Sequence, residues 1–176
     1  MTTTLTKQLI TQCLHELPKR IQEETLKAAN QCLVDCLATA YAAYGEAPIN
    51  MLRKLYIDSP TTGASTVIGY GEKARPADAA LVNGAMISLQ LFDDNQAQMR
   101  GHPSGPLLPA VLALAELKDA SIEEALTAFI IGYEVECRFG TILNPSHYEL
   151  GWHATATQGT LAAVIASSLI LGLDDH

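Results

Sequence analysis

Apolar residues recur at intervals of three and four along most of the chain, which is the spacing of one face of an α-helix. The first such run contains Leu5, Leu9, Ile10, Cys13, Leu14 and Leu17, and Pro18 ends it. Later runs predict helices over residues 19–43, 49–57, 76–91, 106–117, 121–142 and 153–171. Because strand-like alternation occurs in one short place only, the pattern predicts an all-α fold, a multi-helix bundle of six to eight helices.

Several helix ends carry the residues that favour them. Pro48 and Pro76 suit the first turn of a helix, and Ser121 with Glu124 has the spacing of a capping box. Gly45 and Gly172 are expected to stop the helices that precede them. Three loops remain, over residues 59–71 with at most one short strand, 92–105 and 144–152.

The helices that begin near Pro76, Pro106 and His153 are apolar on every face. Such helices need to be covered, so we expect a homo-oligomer interface or further polypeptide to pack against them. Residues 154–173 lack charge and approach the length of a membrane span. Their threonine, serine and glutamine side chains instead favour a helix buried on all sides of a soluble protein, with no membrane partner.

Composition narrows the class of protein. The chain has 176 residues, 48% of them hydrophobic, with 11 basic and 19 acidic side chains and a net charge of −8. This composition argues against disorder, and the acidic balance argues against a nucleic-acid partner. The four cysteines show no zinc or dithiol spacing, and the first 20 residues contain no secretory apolar run. We therefore expect a cytoplasmic protein with reduced, mostly buried thiols.

Side chains able to transfer protons are scarce, and they cluster in two of the loops. The loop between the helices at 76–91 and 106–117 carries Asp93, Asp94, Asn95, Arg100, His102 and Ser104. The loop before the final helix carries His147, Tyr148, Glu149, Trp152 and His153. Polar loops between apolar helices are costly unless they are used. Taken singly, residues of these types are more often solvated or structural than catalytic, and the residues alone leave the reaction open.

Several separated blocks resemble, in order and spacing, the amino-terminal part of the MmgE/PrpD family. They are Val34–Ala38, Gly69–Gly71, Ala79–Gly84, Phe92–Asp94, His102–Gly105, Ala113–Glu116, Gly132–Val135 and Gly151–Thr155. That family includes 2-methylcitrate dehydratase, cis-aconitate decarboxylase and iminodisuccinate epimerase. The resemblance implies that residues 1–176 form part of a helical domain that dimerises. It also implies an active site for small polycarboxylates that uses no metal and no cofactor. Family members are longer, and the α/β lid domain that follows in them is absent from this chain.

The resemblance also implies roles for particular residues. His102 and His153 match histidines that line the family's active site, and Asp93 is expected to orient one of them as a third catalytic residue. Asn95, Arg100 and Ser104 are the expected substrate-binding residues. The family's acidic block usually reads D-F-D-D-T, and here Leu91 stands at the first aspartate and Asn95 at the threonine.

These residue types suit the chemistry of polycarboxylates. Dehydration or decarboxylation needs a proton acceptor, a proton donor and positive charge near the developing carbanion, and imidazole serves both proton roles near neutral pH. The first hypothesis is therefore part of a lyase that acts on 2-methylcitrate-like or cis-aconitate-like acids. The second is a non-catalytic helical dimerisation module derived from the same family.

Overall fold

The computed structural model describes residues 4–57 and 63–174, and it confirms the all-α prediction. The described residues form eight α-helices and one pair of two-residue strands. The helices are α1 Leu5–Thr11, α2 Glu23–Ala42, α3 Ala47–Tyr56, α4 Pro76–Ser88, α5 Ser104–Lys118, α6 Ile122–Leu143, α7 Ser146–Glu149 and α8 Ala154–Leu171. The antiparallel strands are β1 Ser65–Thr66 and β2 Lys73–Ala74. Residues 58–62 of the predicted 59–71 loop lie outside the described residues.

The amino-terminal segment is less regular than its spacing predicts. In place of one helix to Leu17, α1 is followed by a π-helical turn, Gln12–Glu16, and a 3₁₀ turn, Pro18–Arg20. Pro18 lacks the backbone N–H that would continue the ladder, and Ile21 is extended with ψ of 126°. The second helix therefore begins at Glu23 rather than at residue 19.

Three further boundaries differ from the prediction. Helix α4 ends at Ser88 rather than at residue 91, and Leu91 has a left-handed φ of 54° that a continuing helix does not allow. Helix α5 begins at Ser104, before Pro106, and continues through Pro109. The loop before α8 contains the short helix α7. The other ends lie close to the sequence signals, and Ser121 and Glu124 make both hydrogen bonds of the predicted capping box.

Helices α4, α5, α6 and α8 pack side by side around the main core, and α2 packs against α4 and α6. The largest buried side chains of this main core include Met86, Ile87, Leu107, Leu108 and Phe129. Asn83 of α4 ties the strand region to this core, since its side chain bonds the backbone N–H of Ile68 and the carbonyl of Thr66, both at 2.9 Å.

Helix α8 is not buried on all sides as its composition suggested. Its inner face, with Ala154, Ala162 and Ala166, is buried, whereas Leu161 and Val164 are 48% and 59% exposed. By length and apolar composition, Ala154–Leu171 qualifies as a possible membrane span among the described residues. Its buried face packs against α5 and α6, as the inner face of a surface helix does.

All four cysteines are free, and two of them are fully buried. Cys13 and Cys36 lie in the core, while Cys32 and Cys137 are half-buried. Burial is the main cause that raises the pKa of each thiol. Because the thiolate is the reactive form, these side chains behave as small apolar groups near neutral pH.

Candidate functional site

The two polar loops meet at one end of the bundle. We name residues 89–103 the acidic loop and residues 144–153 the second loop. The Asn144 side chain donates to the carbonyls of Met99, at 2.7 Å, and Gln98, at 3.1 Å. The Arg100 guanidinium lies over the Tyr148 ring, 5.8 Å from its centroid.

The acidic loop also contacts the start of α8. The backbone N–H of His102 donates to Thr155 Oγ1 at 2.9 Å, and Thr155 lies two residues after His153. The fold thus brings the backbones of the two histidine-bearing segments together.

Close helix–loop packing holds the acidic loop in place. Gly140 of α6 lies against Met99 so closely that an added Cβ would overlap the Met99 backbone. Met99 itself is fully buried. Gly105, in the first turn of α5, has the same effect beside Asp93, whose Oδ2 would lie 2.8 Å from an added Cβ. Leu91 and Arg100 both adopt left-handed backbone conformations, with φ of 54°, so the loop contains two uncommon non-glycine turns.

Asp93 and His102 form the closest acid–imidazole contact in the described residues. His102 Nδ1 lies 3.3 Å from Asp93 Oδ1 and 3.2 Å from the Asp93 carbonyl oxygen. The Asp93 side chain is completely buried, whereas that of His102 is 24% exposed. Burial raises the pKa of Asp93, and the nearby His102 opposes that rise. The hydrogen bond of Nδ1 is made with the Asp93 carbonyl oxygen, and neither Asp93 carboxylate oxygen has a hydrogen-bond partner among the described residues. A proton held on Nδ1 by that carbonyl leaves Nε2 free to accept or donate one.

Asp94 caps the start of α5. Its Oδ1 accepts a hydrogen bond from the backbone N–H of Ser104 at 3.1 Å, a position where the helix dipole favours negative charge. The Ser104 side chain is fully buried beside the Cys32 thiol. Ser104 therefore faces the interior in this structure, and its substrate-binding role stays a prediction.

The remaining predicted site residues lie on the surface. His153 is exposed at the N-cap of α8, where its carbonyl accepts from Ala156 and Thr157. Asn95 and Arg100 are exposed on the acidic loop. In the second loop, His147 Nε2 lies 2.8 Å from Thr157 Oγ1, and its ring stacks on Trp152. The structure therefore places Asp93 beside His102. The roles of His153, Asn95 and Arg100 stay predictions.

Sequence reasoning missed two buried polar residues near this site. Glu136 of α6 is fully buried, and Gln158 of α8 is 1% exposed. Within the described part of the chain, neither side chain has a hydrogen-bond partner. Burial, reinforced by Asp94, raises the pKa of Glu136 to about 9. The sequence signal that could have revealed Glu136 is its helical spacing. It shares the inward face of α6 with Phe129, Gly132 and Gly140.

Tyr133 connects α6 to the acidic loop. Its half-buried hydroxyl lies beside Asp94, and burial together with that carboxylate raises the pKa of Tyr133. As for metal ligands, no group of three or more His, Cys, Asp or Glu residues within 4–57 and 63–174 is arranged to hold an ion.

Comparison with known proteins identifies relatives of this chain. The chain is 29% identical to a cis-aconitate decarboxylase-like protein of Aspergillus oryzae, over 89% of this chain and 34% of that protein. It is 30% identical to cis-aconitate decarboxylase of Aspergillus terreus, over 87% of this chain and 32% of the relative. The human cis-aconitate decarboxylase is 35% identical over 62% of this chain and 24% of its own length.

The chain thus spans about a third of the length of the fungal relatives it matches. Residues 8–176 match the sequence profile of the MmgE/PrpD N-terminal domain. Together with the all-α fold, this match shows that the chain belongs to the MmgE/PrpD family.

Proposed function

We propose that this chain supplies the helical part, and one proton-transfer group, of a lyase that acts on small polycarboxylates. Decarboxylation of a cis-aconitate-like acid is the preferred reaction, because the relatives are named for it. The observation that carries the proposal is the buried Asp93 carboxylate 3.3 Å from His102 Nδ1. An imidazole oriented in this way is suited to general acid–base catalysis.

In the proposed reaction, a carbon–carbon bond to one carboxylate breaks and carbon dioxide leaves. The bonding electron pair stays on the carbon skeleton, which then takes up a proton. His102 Nε2 delivers that proton in its protonated form, and Asp93 stabilises the resulting charge distribution across Nδ1. A dehydration would use the same pair, with the imidazole accepting a proton from carbon as hydroxide leaves.

The substrate itself carries several negative charges, so its site needs cations. Arg100 is exposed beside Tyr148 on the acidic loop, and His153 stands at the positive end of α8. Asn95 would add a neutral hydrogen-bonding group. Because the chain has a net charge of −8, we propose that further basic groups come from polypeptide beyond this segment, and that turnover requires it. We also retain the proposals of a homodimer and a cytoplasmic location.

The test uses the full-length protein that contains this segment, with cis-aconitate and 2-methylcitrate as substrates. Carbon dioxide release and loss of water are measured separately, so the assay distinguishes decarboxylation from dehydration. His102→Asn should lower kcat by a factor of about 10² to 10⁴, the usual contribution of a general acid or base. His15→Asn, which changes an exposed histidine in the π-helical turn, is the matched control. Unchanged turnover in His102→Asn would remove the assignment.

A second candidate function is a non-catalytic helical dimerisation module. Leu91 and Asn95 favour it, because they replace the aspartate and threonine of the family's acidic block, and Leu91 is 70% exposed. A thermal-shift titration of the full-length protein with citrate, cis-aconitate and 2-methylcitrate separates the two functions. A ligand that binds only the native state must raise Tm. No shift with any acid, together with a tight dimer, would favour the module.

A further inference from the structure

A groove lies between the amino-terminal segment, α2 and α6. Its volume is about 380 Å³, within the range of pockets that hold small molecules. Most of its walls are apolar, and they include Leu17, Ile21, Ala29, Phe129 and Ile130. An apolar ligand body would be desolvated there.

The charge at this groove is asymmetric. Arg20 lines it with an exposed guanidinium, and no carboxylate of residues 4–57 or 63–174 lies within ion-pair distance of that group. The other charged lining residue, Glu134, forms an ion pair with Arg138 on the next turn of α6. The uncompensated charge of the groove is therefore positive, although the chain as a whole is acidic.

One end of the groove reaches the acidic loop from behind. Cys32 and Tyr133 line this end, and they lie beside Ser104 and Asp94 respectively. Arg20 and Thr25 are exposed, so they mark the side open to solvent. The groove thus combines an apolar interior with a cationic rim.

We propose that this groove binds an amphipathic monocarboxylate of the medium-chain fatty acid class. Its carboxylate pairs with Arg20, which offers planar donors suited to that group, and its alkyl chain lies along α2 and α6 towards Cys32 and Tyr133. A polycarboxylate fits poorly here, because a single uncompensated cation faces apolar walls. The site is therefore distinct from the one proposed around His102.

The experiment titrates decanoate, below its micelle concentration, into the chain by isothermal calorimetry. We expect saturable binding with one site per chain. Affinity should rise about fourfold for each added methylene from hexanoate to decanoate, since each buried methylene contributes a similar increment. Decanol, with the same tail and no charge, should bind about tenfold more weakly.

Two variants and two matched controls locate the site. Arg20→Gln should reduce decanoate affinity to that of decanol, whereas Lys19→Gln, which changes a neighbouring exposed cation outside the groove, should not. Ala28→Trp fills the groove from an exposed position on α2, and Asn30→Trp places the same bulk on that helix outside the groove. Circular dichroism establishes that each variant is folded.

Three outcomes would overturn the proposal: no saturable binding, equal affinity for decanoate and decanol, or binding that neither Arg20→Gln nor Ala28→Trp weakens. Sedimentation of the chain with and without decanoate measures its oligomeric state, and so tests whether a second copy of the chain occupies the groove. Loss of a dimer on adding decanoate, with the same dimer lost in Ala28→Trp, would assign the groove to a second copy of the chain instead.

Discussion

At the scale of single residues, the carboxyl group of Glu136 lies in a buried environment that disfavours its charged form. Its pKa is raised to about 9 in the folded chain by burial, against an ordinary value near 4.3 when unfolded. The folded state therefore holds a proton that the unfolded state releases between these pH values. By linkage, this group lowers stability progressively as pH rises from about 4.3 to about 9, by up to about 1.4 kcal/mol per pH unit.

Glu136→Gln removes that dependence while keeping the shape of the side chain. We expect the variant to match the parent near pH 5 and to exceed its free energy of unfolding at pH 8, measured by urea denaturation at both values. Glu123→Gln, which changes an exposed carboxylate on the same helix, should leave the pH slope unaltered. A parent and a Glu136→Gln variant with parallel pH profiles would contradict the buried, protonated state.

Leu91 adopts a left-handed backbone conformation, which is unfavourable for leucine. Its φ of 54° costs a Cβ-bearing residue about 1 kcal/mol, and asparagine tolerates this region better. Because Leu91 is 70% exposed, little burial is lost, and Leu91→Asn should stabilise the chain by about 0.5–1 kcal/mol in chemical denaturation. Leu55→Asn, at a 71% exposed position inside α3, should destabilise it instead, since asparagine is the poorer helix former. Equal effects of the two changes would show that φ is not the cause.

At the scale of elements, the sequence predicted helix positions better than helix regularity. The capping box at Ser121 and the stop at Gly172 act through local hydrogen bonds and φ, which neighbouring residues determine. The break after Pro18 has a local cause, the missing proline N–H. The start of α5 at Ser104 involves a contact across the loop with Asp94, which apolar periodicity does not reveal.

The candidate site shows the same division between local and non-local information. The clustering of polar residues predicted the two loops, and the resemblance to the family led to the prediction that Asp93 orients one of the two histidines, His102 or His153. Their 3.3 Å approach depends on helix packing around Asp93. Glu136 was missed because an apolar periodic pattern is read from its apolar members, although its spacing places it on their inward face.

Two glycines in helices test how the packing around a position determines whether an added methyl group raises or lowers the stability of the chain. At Gly140, a Cβ would overlap the Met99 backbone, so Gly140→Ala should destabilise the chain by about 1–3 kcal/mol and displace the acidic loop. At Gly84 of α4, the nearest atoms to a Cβ lie at 3.6 and 3.7 Å, which is ordinary contact. Gly84→Ala should therefore stabilise the chain by about 0.5–1 kcal/mol. Thermal denaturation of both variants checks the signs, and two changes of the same sign would refute the packing argument.

At the scale of the whole molecule, the outer face of α8 is unusually apolar for a surface. Leu161 and Val164 are about half exposed there. The neighbouring hydroxyls of Thr160 and Ser168 donate to carbonyls of their own helix, at 2.7 and 2.8 Å, so their donors are already used within the helix. A face of this kind gains free energy when a second apolar surface covers it.

We therefore expect the chain to self-associate through α8, in line with the proposed homodimer. Sedimentation velocity over a wide range of concentration should show a monomer–dimer equilibrium. Val164→Glu should shift that equilibrium to monomer while circular dichroism shows that the variant stays folded, because a charge in the centre of an interface is desolvated without a partner. Leu55→Glu places the same charge on another exposed apolar position, on α3, and should leave the equilibrium unchanged. A parent chain that stays monomeric throughout, or a dimer that Val164→Glu does not weaken, would exclude α8 as the contact surface.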